Sequence, residues 1–257
     1  MKRAMRGLPA ALLILALIGI WELYSDLHGS GFSLILPPPH EVAKALYTDR
    51  SLLWSSFLVT AKEVLLGILV ATVFGATLSV AIHFSMTLRR ATYPLIVASQ
   101  AVPVAVFAPL LALWLGYGIL PKLVVIAVVS FFSIVVTTTA ALAAVDPDLL
   151  KLMRTFDASR LTTFRHVELP SALPGVFTGA KIAVAVSVIG AVFAEYTGSN
   201  SGLGYVILIS EPQLLVARAF AAVVLLSLFA IALFSLLALA ERLALPWAYR
   251  THEERPA

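Results

Sequence analysis

The side chains that could do chemistry are concentrated in the stretch TFDASRLTTFRHVELP, residues 155–170, which lies between two strongly apolar segments. Catalysis would require paired carboxylates or a serine–histidine–aspartate set, and neither stands out within an apolar segment. None of the five histidines pairs with another at metal-ligand spacing, cysteine is absent, and no glycine–lysine pair of a nucleotide-binding loop occurs. We therefore expect no catalytic residue, no metal and no cofactor in this chain.

The composition is that of a membrane protein. Of the 257 residues, 60% are hydrophobic and only 12% are charged, whereas an ordinary globular domain has about 25% charged residues. The net charge of +4 could suggest nucleic acid as a partner. However, the basic residues lie at the ends of apolar runs rather than together on a soluble face. The composition therefore predicts a lipid bilayer as a partner, and no nucleic acid.

Six apolar runs are candidates for membrane spans, since a spanning helix needs about 20 mostly apolar residues. They are residues 7–21 (extendable to Tyr24), 64–82, 91–121, 123–145, 169–194 and 219–240. The first run follows basic residues, as in a signal peptide, but no clear cleavage site follows it, which favours a retained span. The fifth run is broken only by Lys181, which we expect to extend to the membrane surface. The sequence thus predicts an all-α integral membrane protein with six transmembrane helices.

Lysine and arginine are distributed unevenly between the two sides that these spans define. One side has twelve, at both termini and in the second and fourth connections, whereas the other has only Lys44, Arg50 and Lys122. Because basic residues stay on the cytoplasmic side, the N-terminus and the C-terminus are predicted to be cytoplasmic. The predicted organisation is a first transmembrane helix with a basic N-terminus (1–24), an outer loop with a short helix (25–56), a five-helix core (57–250) and a cytoplasmic tail (251–257).

The third span contains features of a transport path. Pro103 and Pro109 each remove one helical hydrogen bond, and Gln100 lies close to them in sequence. Carbonyl groups freed within a membrane need a partner or a wet cavity. A kink that serves packing alone would use the same prolines.

Small residues recur at every fourth position in the second and fifth spans, a spacing that places them on one helix face. The stripes are Gly67, Ala71, Gly75 and Ser79, and Gly175, Gly179, Ala183, Ser187 and Ala191. They indicate close helix contacts within the chain, or a surface that faces a partner subunit or the transport path. Glu195 closes the fifth span and is expected at the outer interface or at the mouth of the path.

The polar insert predicts two short amphipathic helices. Apolar residues recur with helical spacing from Leu149 to Phe156 and again from Leu161 to Val167. The two helices would join at Asp157 and end at Pro170, which opens the fifth span. Such a pair can lie on the membrane surface. An exposed apolar stripe with a basic rim also fits a docking site for a soluble partner.

The insert resembles the EAA loop of permease subunits of bacterial ABC importers. That pattern is Glu-Ala-Ala, three residues, Gly, nine residues and Ile-x-Leu-Pro. Here VELP at 167–170 stands for its end, Asp157 for the glycine, and KLM at 151–153 for the triplet. Three further stretches resemble one branch of this family and follow one another along the chain in the same order: LPPPHEV, AVPVAVFAPLLALWLGYG and AEYTGSNSGLGY. That branch imports sulfonates, taurine, nitrate and thiamine-precursor pyrimidines.

The resemblance implies a type I ABC importer permease bundle in the bacterial inner membrane. It also implies a homodimer with two cytoplasmic ATPase subunits, which hydrolyse ATP, and an external solute-binding protein, which delivers the solute. The coupling helices would be residues 146–166, with Leu149, Lys151, Leu152, Met153, Arg154, Phe156, Asp157, Ser159, Arg160, Leu161, Phe164 and Arg165 as candidate contacts. Candidate pathway residues are Gln100, Pro103, Pro109, Ser187 and Glu195.

The alternative is a six-span secondary carrier or channel that needs no ATPase. It predicts ionisable residues deep in the bundle, where only Lys181 clearly lies. The sequences of the third and fifth spans resemble importers of pyrimidines or related heterocycles more than importers of sulfonate, taurine or nitrate, which implies a substrate of the former kind. Asp157 stands where glycine would allow a positive φ, and we expect its side chain to cap the second helix by accepting the amide of Ser159 or Arg160.

Overall fold

The computed structural model describes residues 2–27 and 35–250, and every regular element within them is helical. The helices are α1 (Lys2–Leu27), α2 (Pro39–Thr48), α3 (Arg50–Phe84), α4 (Met86–Ser99), α5 (Val104–Leu115), α6 (Ile119–Ala143), α7 (Pro147–Thr155), α8 (Arg160–Thr163), α9 (Leu169–Gly198), α10 (Leu203–Ser210), α11 (Val216–Ala244) and α12 (Pro246–Arg250). A π-helical turn, Phe164–Glu168, connects α8 to α9. The predicted all-α class is confirmed. The predicted tail at 251–257 and part of the predicted outer loop lie outside the described residues.

The chain forms two compact units, to both of which α3 and α11 contribute. One contains Met1–Thr60 and Asn200–Ser227, and the other contains Ala61–Ser199 and Leu228–Ala257. In the first unit, the guanidinium of Arg218 forms a bidentate ion pair with Asp49 at 2.8 and 2.9 Å. A two-point arginine–carboxylate contact is among the strongest of side-chain hydrogen bonds, so it fixes the start of α11 against the junction of α2 and α3.

The first unit also connects α1 to α2 through Glu22 and His40. The Glu22 carboxylate accepts hydrogen bonds from the backbone N–H and the ring of His40. The hydrogen bond to the carboxylate raises the pKa of His40 above its usual value of 6.5. The backbone contact gives an N–H at the start of α2 a partner, since Pro38 and Pro39 provide no side-chain cap there.

Four helices are long and apolar enough to cross a bilayer: α3, α6, the continuous helix from Arg160 to Gly198, and α11. The bent pair of α4 and α5 would be a fifth. These five correspond to the second to sixth apolar runs of the sequence. The first run lies in α1, a 26-residue helix that exposes apolar side chains such as Leu12, Leu15 and Ile20.

The third predicted span is fully broken. α4 ends at Ser99 and α5 begins at Val104, and the two helices meet at 100°. Pro103 is the N-cap of α5, with a φ of −63° and a ψ of 125°. Because proline lacks an N–H and disfavours helical geometry in the residue before it, the chain ends one helix and starts another at this point. Pro109, by contrast, is accommodated inside α5.

The stripes of small residues in α3 and α9 pack against α6. A Cβ atom at Gly179 would lie 2.1 Å from Thr137 Oγ1, and one at Gly67 would lie 2.4 Å from Ile126 Cγ2. Real Cβ atoms do not approach other atoms so closely, so only glycine permits these helix separations. Of the two interpretations of the stripes, the structure thus shows close helix contacts within the chain.

Candidate coupling element and transport path

The coupling element, residues 146–166, begins with a capped helix. Asp146 is the N-cap of α7, and its Oδ1 accepts a 2.8 Å hydrogen bond from the N–H of Asp148. Pro147 occupies the first helical position, where the N–H that proline lacks would have no intrahelical partner. The sequence Asp-Pro-Asp therefore fixes where α7 starts.

α7 ends in a Schellman motif in which Asp157 has a left-handed backbone, with a φ of 56°. The N–H of Asp157 donates to the Arg154 carbonyl at 3.0 Å, and the N–H of Ala158 donates to the Met153 carbonyl at 3.1 Å. This pair of bonds defines the motif. Aspartate is one of the few residues besides glycine that tolerate such a φ, which explains its presence at the position of the EAA-loop glycine.

Ser159, rather than Asp157, caps the second helix. Ser159 precedes α8, and its Oγ accepts a 3.2 Å hydrogen bond from the N–H of Thr162. The predicted cap by Asp157 is therefore wrong. The physical reason is that Asp157 ends α7 and lies two residues before the N-cap of α8. That N-cap is Ser159, whose own hydroxyl accepts the hydrogen bond.

The sequence predicts that the second helix ends at Pro170, but in the structure the helix does not end there. It continues from α8 through the π-helical turn into α9, giving one helix of 39 residues from Arg160 to Gly198. In this turn the N–H of Leu169 donates to the carbonyl of Phe164, five residues earlier. The wider turn lets the helix pass Pro170, which has no N–H for the ordinary ladder. Because α8 and α9 belong to one continuous helix, a displacement of α8 would also displace α9.

The apolar side chains of the coupling element divide into an exposed face and a buried anchor. Phe164 is only 7% exposed and packs with Leu142 and Ala172. Phe156 is 72% exposed. The exposed face consists of Leu149, Leu152, Phe156 and Leu161, and Met153 is half-buried. Lys151, Arg154 and Arg165 are exposed as well, and Lys151 forms a 2.7 Å surface ion pair with Asp148.

Arg160 attaches the coupling element to the end of α3. Its Nη2 donates to the carbonyls of His83 and Phe84 at 3.5 and 3.2 Å, and its guanidinium lies 4.8 Å from the centre of the Phe84 ring. The last carbonyls of a helix have no intrahelical donor, and a cation there also complements the helix dipole. A 2.9 Å contact between His83 Nε2 and Glu168 Oε2 adds a second connection.

The structure brings together only some of the candidate pathway residues. Gln100 and Pro103 line a cavity of about 330 Å³ at the break between α4 and α5. Pro109 lies farther along α5 and is not part of its lining. Ser187 is fully buried, and its Oγ donates to the Val184 carbonyl within α9. Glu195 is also fully buried, in the last turn of α9.

One buried and one partly buried ion pair were not predicted from the sequence. Glu63 Oε1 lies 2.6 Å from Lys122 Nζ, and Glu241 Oε2 lies 2.8 Å from Lys181 Nζ. Lys122 thus lies in the first turn of α6, and Lys181 of α9 pairs with an acid of α11. An amine in apolar surroundings needs a counter-charge, and each acid lies on a different helix, about 60 residues away. The signal in the sequence was that Glu63 directly precedes the run at 64–82 and Glu241 directly follows the run at 219–240.

Comparison with known proteins places these features in a family. Residues 63–244 match the model of the binding-protein-dependent transport system inner membrane component. The chain is 36% identical over 229 residues to a probable ABC transporter permease protein of Haemophilus influenzae, covering 89% of this chain and 93% of that protein. It is 34% identical over 248 residues to the formylaminopyrimidine transport permease protein ThiX of Halalkalibacterium halodurans, covering 96% and 98%.

A solved structure has the same fold. The crystal structure of an amino acid ABC transporter with histidines gives a TM-score of 0.61 at 17% identity, over 77% of this chain and 96% of that chain. The membrane-length, apolar helices define an integral membrane protein. The chain belongs to the family of binding-protein-dependent transport system inner membrane components, and is thus a multi-pass permease subunit of an ABC importer in the bacterial inner membrane.

Proposed function

We propose that two cytoplasmic ATPase subunits drive this permease by docking on its coupling element. The observation that carries the proposal is the exposed apolar face formed by Leu149, Leu152, Phe156 and Leu161. An apolar patch of this kind, on an amphipathic helix with a polar rim, is typical of a docking site for a protein groove. The ATPases supply hydrolysis, so the permease itself is not the enzyme.

The coupling element has a mechanical route into the bundle. It is continuous with α9 through the π-helical turn, and Arg160 connects it to the carbonyl end of α3. When the ATPases close, the force on α7 would reach α9 and α3 together. The path between the spans would then open towards the external solute-binding protein.

We propose that α1 is a sixth span and that both termini are cytoplasmic. Its 26 helical residues correspond to about 39 Å, enough to cross a hydrocarbon core of about 30 Å. The excess of lysine and arginine on one side of the chain supports this orientation. The predicted assembly is a homodimer of this subunit with two ATPases.

The cavity at the break between α4 and α5 is our candidate for part of the transport path. The Gln100 amide can donate and accept hydrogen bonds, and Phe107, Val128 and Val129 provide an apolar wall. Among the described residues that line it, none is lysine or arginine. This lining suits a flat, neutral heterocycle better than sulfonate, taurine or nitrate. Similarity to a formylaminopyrimidine permease supports a thiamine-precursor pyrimidine or related heterocycle as the solute.

Docking is tested with a matched pair of variants at one exposed position. Phe156→Asp places a charge at the most exposed residue of the apolar face, whereas Phe156→Leu keeps that face apolar. We expect the ATPase subunit to copurify with the wild-type permease and with Phe156→Leu, and to be lost or strongly reduced with Phe156→Asp. Equal recovery of the ATPase with both variants would contradict docking at this face.

A further inference from the structure

Two adjoining cavities lie between the coupling element and the neighbouring ends of α3, α4 and α6, within the unit that contains Ala61–Ser199. Their volumes are about 510 and 450 Å³, and they share a wall made of His83, Leu150, Arg160 and Glu168. Arg89 of α4 lines the larger cavity, and Arg154 of α7 lines the smaller one. We call the two together the arginine cavity. Its volume is sufficient for a small charged compound or for the headgroup of a lipid.

The lining of the arginine cavity is positively charged. Arg89, Arg154 and Arg160 contribute three guanidiniums, which stay charged at any physiological pH. Among the described residues that line the cavity, the only acid is Glu168, whose Oε2 lies 2.9 Å from His83 Nε2. Three guanidiniums against one carboxylate leave two positive charges, so the class of ligand that this cavity suits is an anion.

The three arginines also have donors that the protein does not use. Within the described part of the chain, the guanidiniums of Arg89 and Arg154 form neither a hydrogen bond nor an ion pair. Arg160 donates only through Nη2, to the carbonyls of His83 and Phe84, and its Nε and Nη1 have no acceptor among the same residues. These groups are therefore available to a bound acceptor.

Thr139 of α6 adds a buried donor to this set. It is 7% exposed and lines the larger cavity, and its hydroxyl is buried with no hydrogen-bond partner among the described residues. Buried hydroxyl groups nearly always have a partner, because a buried polar group without one is destabilising. An acceptor bound in the cavity would supply the partner that the protein lacks here.

We propose that the arginine cavity binds a phosphate group. Phosphate oxygens are acceptors that a planar guanidinium can bond at two points, and a hydroxyl can donate to the same group. Soluble phosphate esters and anionic phospholipids both carry this group on the side of the membrane where the coupling element is predicted to lie. Because Arg89 belongs to α4 and Arg154 to α7, the bound phosphate connects the coupling element to the start of α4. The proposal concerns the permease alone and does not depend on ATPase docking.

Thermal unfolding of the purified full-length permease in a neutral detergent tests this site. Two probes are titrated at constant ionic strength: inorganic phosphate, and short-chain phosphatidylglycerol with phosphatidylcholine as its zwitterionic control. At about ten times its Kd, a probe that binds should raise the midpoint of unfolding by about 3–5 °C. A response to inorganic phosphate identifies a soluble phosphate compound as the ligand. A response to phosphatidylglycerol alone identifies a lipid headgroup.

A matched pair of double variants separates the cavity from general effects of charge and salt. Arg89→Gln/Arg154→Gln removes two lining guanidiniums, whereas Arg90→Gln/Arg165→Gln removes two exposed guanidiniums that line neither cavity. The first double variant should raise the Kd of the responding probe at least about tenfold, because two charge-assisted contacts are lost. The second should leave that Kd unchanged.

The single variants Arg89→Gln and Arg154→Gln take the place of the first double variant if it does not fold. Each should raise the Kd at least about threefold, since one charge-assisted contact remains. The proposal is overturned if the wild-type permease responds to neither probe. It is equally overturned if removing the lining arginines weakens binding no more than removing Arg90 and Arg165.

Discussion

Asp157 shapes the coupling element by adopting a φ of 56°. A left-handed backbone costs most L-residues about 1–2 kcal/mol, aspartate and asparagine less, and glycine almost nothing. We therefore expect Asp157→Gly to raise the free energy of unfolding by about 0.5–1 kcal/mol and Asp157→Val to lower it by about 1 kcal/mol. Thermal unfolding of the purified chain measures both changes.

Asp157→Asn is the control for this prediction. Asparagine removes the charge but also tolerates the left-handed region, so its stability should equal that of the wild type. If Asp157→Asn were as damaging as Asp157→Val, the carboxylate rather than the backbone conformation would be the important property of Asp157.

For single residues, features that depend on neighbouring residues could be predicted from the sequence, whereas features that depend on distant residues could not. The positive φ of Asp157 could be anticipated because the EAA pattern places glycine there. The helix cap was assigned to the wrong residue because it depends on where α8 starts, and Ser159 lies only two residues away. The burial of Glu195 could not be anticipated, since burial inside a bundle depends on packing against other helices, which no local pattern encodes.

At the scale of helices, the contact between α6 and α9 depends on Gly179. A Cβ there would lie 2.1 Å from Thr137 Oγ1 and 3.1 Å from the Ser133 carbonyl oxygen. We expect Gly179→Ala to destabilise the chain by about 1–3 kcal/mol, because the helices must separate to admit the methyl group. Gly190 of the same helix is the control, since a Cβ there would have no neighbour nearer than 3.5 Å.

The control should behave in the opposite way. Gly190→Ala should leave stability unchanged or raise it by up to about 1 kcal/mol, since alanine favours the helix. Both effects are read from thermal unfolding in the same detergent. Equal stability of the two alanine variants would show that α6 and α9 are not packed as closely as the structure indicates.

The coupling element contains one buried phenylalanine and one exposed phenylalanine. Phe164 is 7% exposed, so we expect Phe164→Ala to lower the free energy of unfolding by about 3–5 kcal/mol. Phe156 is 72% exposed, so Phe156→Ala should change it by less than about 0.5 kcal/mol. Thermal unfolding of the permease without its ATPase measures both. A large loss with Phe156→Ala would mean that this side chain belongs to the core.

Element positions were predicted well where apolar runs are long, and poorly where backbone geometry changes. The runs at 64–82 and 219–240 lie within α3 and α11, and the run at 123–145 lies within α6 except for its last two residues. The prolines of the third span indicated disruption, but not that Pro103 turns the chain by 100° while Pro109 is accommodated. Pro170 suggested a helix end, yet the π-helical turn before it allows the helix to continue.

At the scale of the whole molecule, composition alone established the class of protein. A chain with 60% hydrophobic residues requires a bilayer, and residues 63–244 belong to the permease family that the insert resembles. The division into two units was not predictable, because it groups Asn200–Ser227 with the first 60 residues. That grouping depends on distant contacts such as the ion pair between Asp49 and Arg218, and no local pattern encodes them.

ATP-driven import is tested by solute uptake with the complete complex in proteoliposomes. The permease is reconstituted with its ATPase and its solute-binding protein, and uptake of a labelled thiamine-precursor pyrimidine is followed with and without ATP on the ATPase side. We expect uptake only with ATP. This ATP-dependent uptake should be unchanged in the Phe156→Leu variant and abolished in the Phe156→Asp variant. Uptake without ATP, driven by an ion gradient, would contradict the account and favour a secondary carrier.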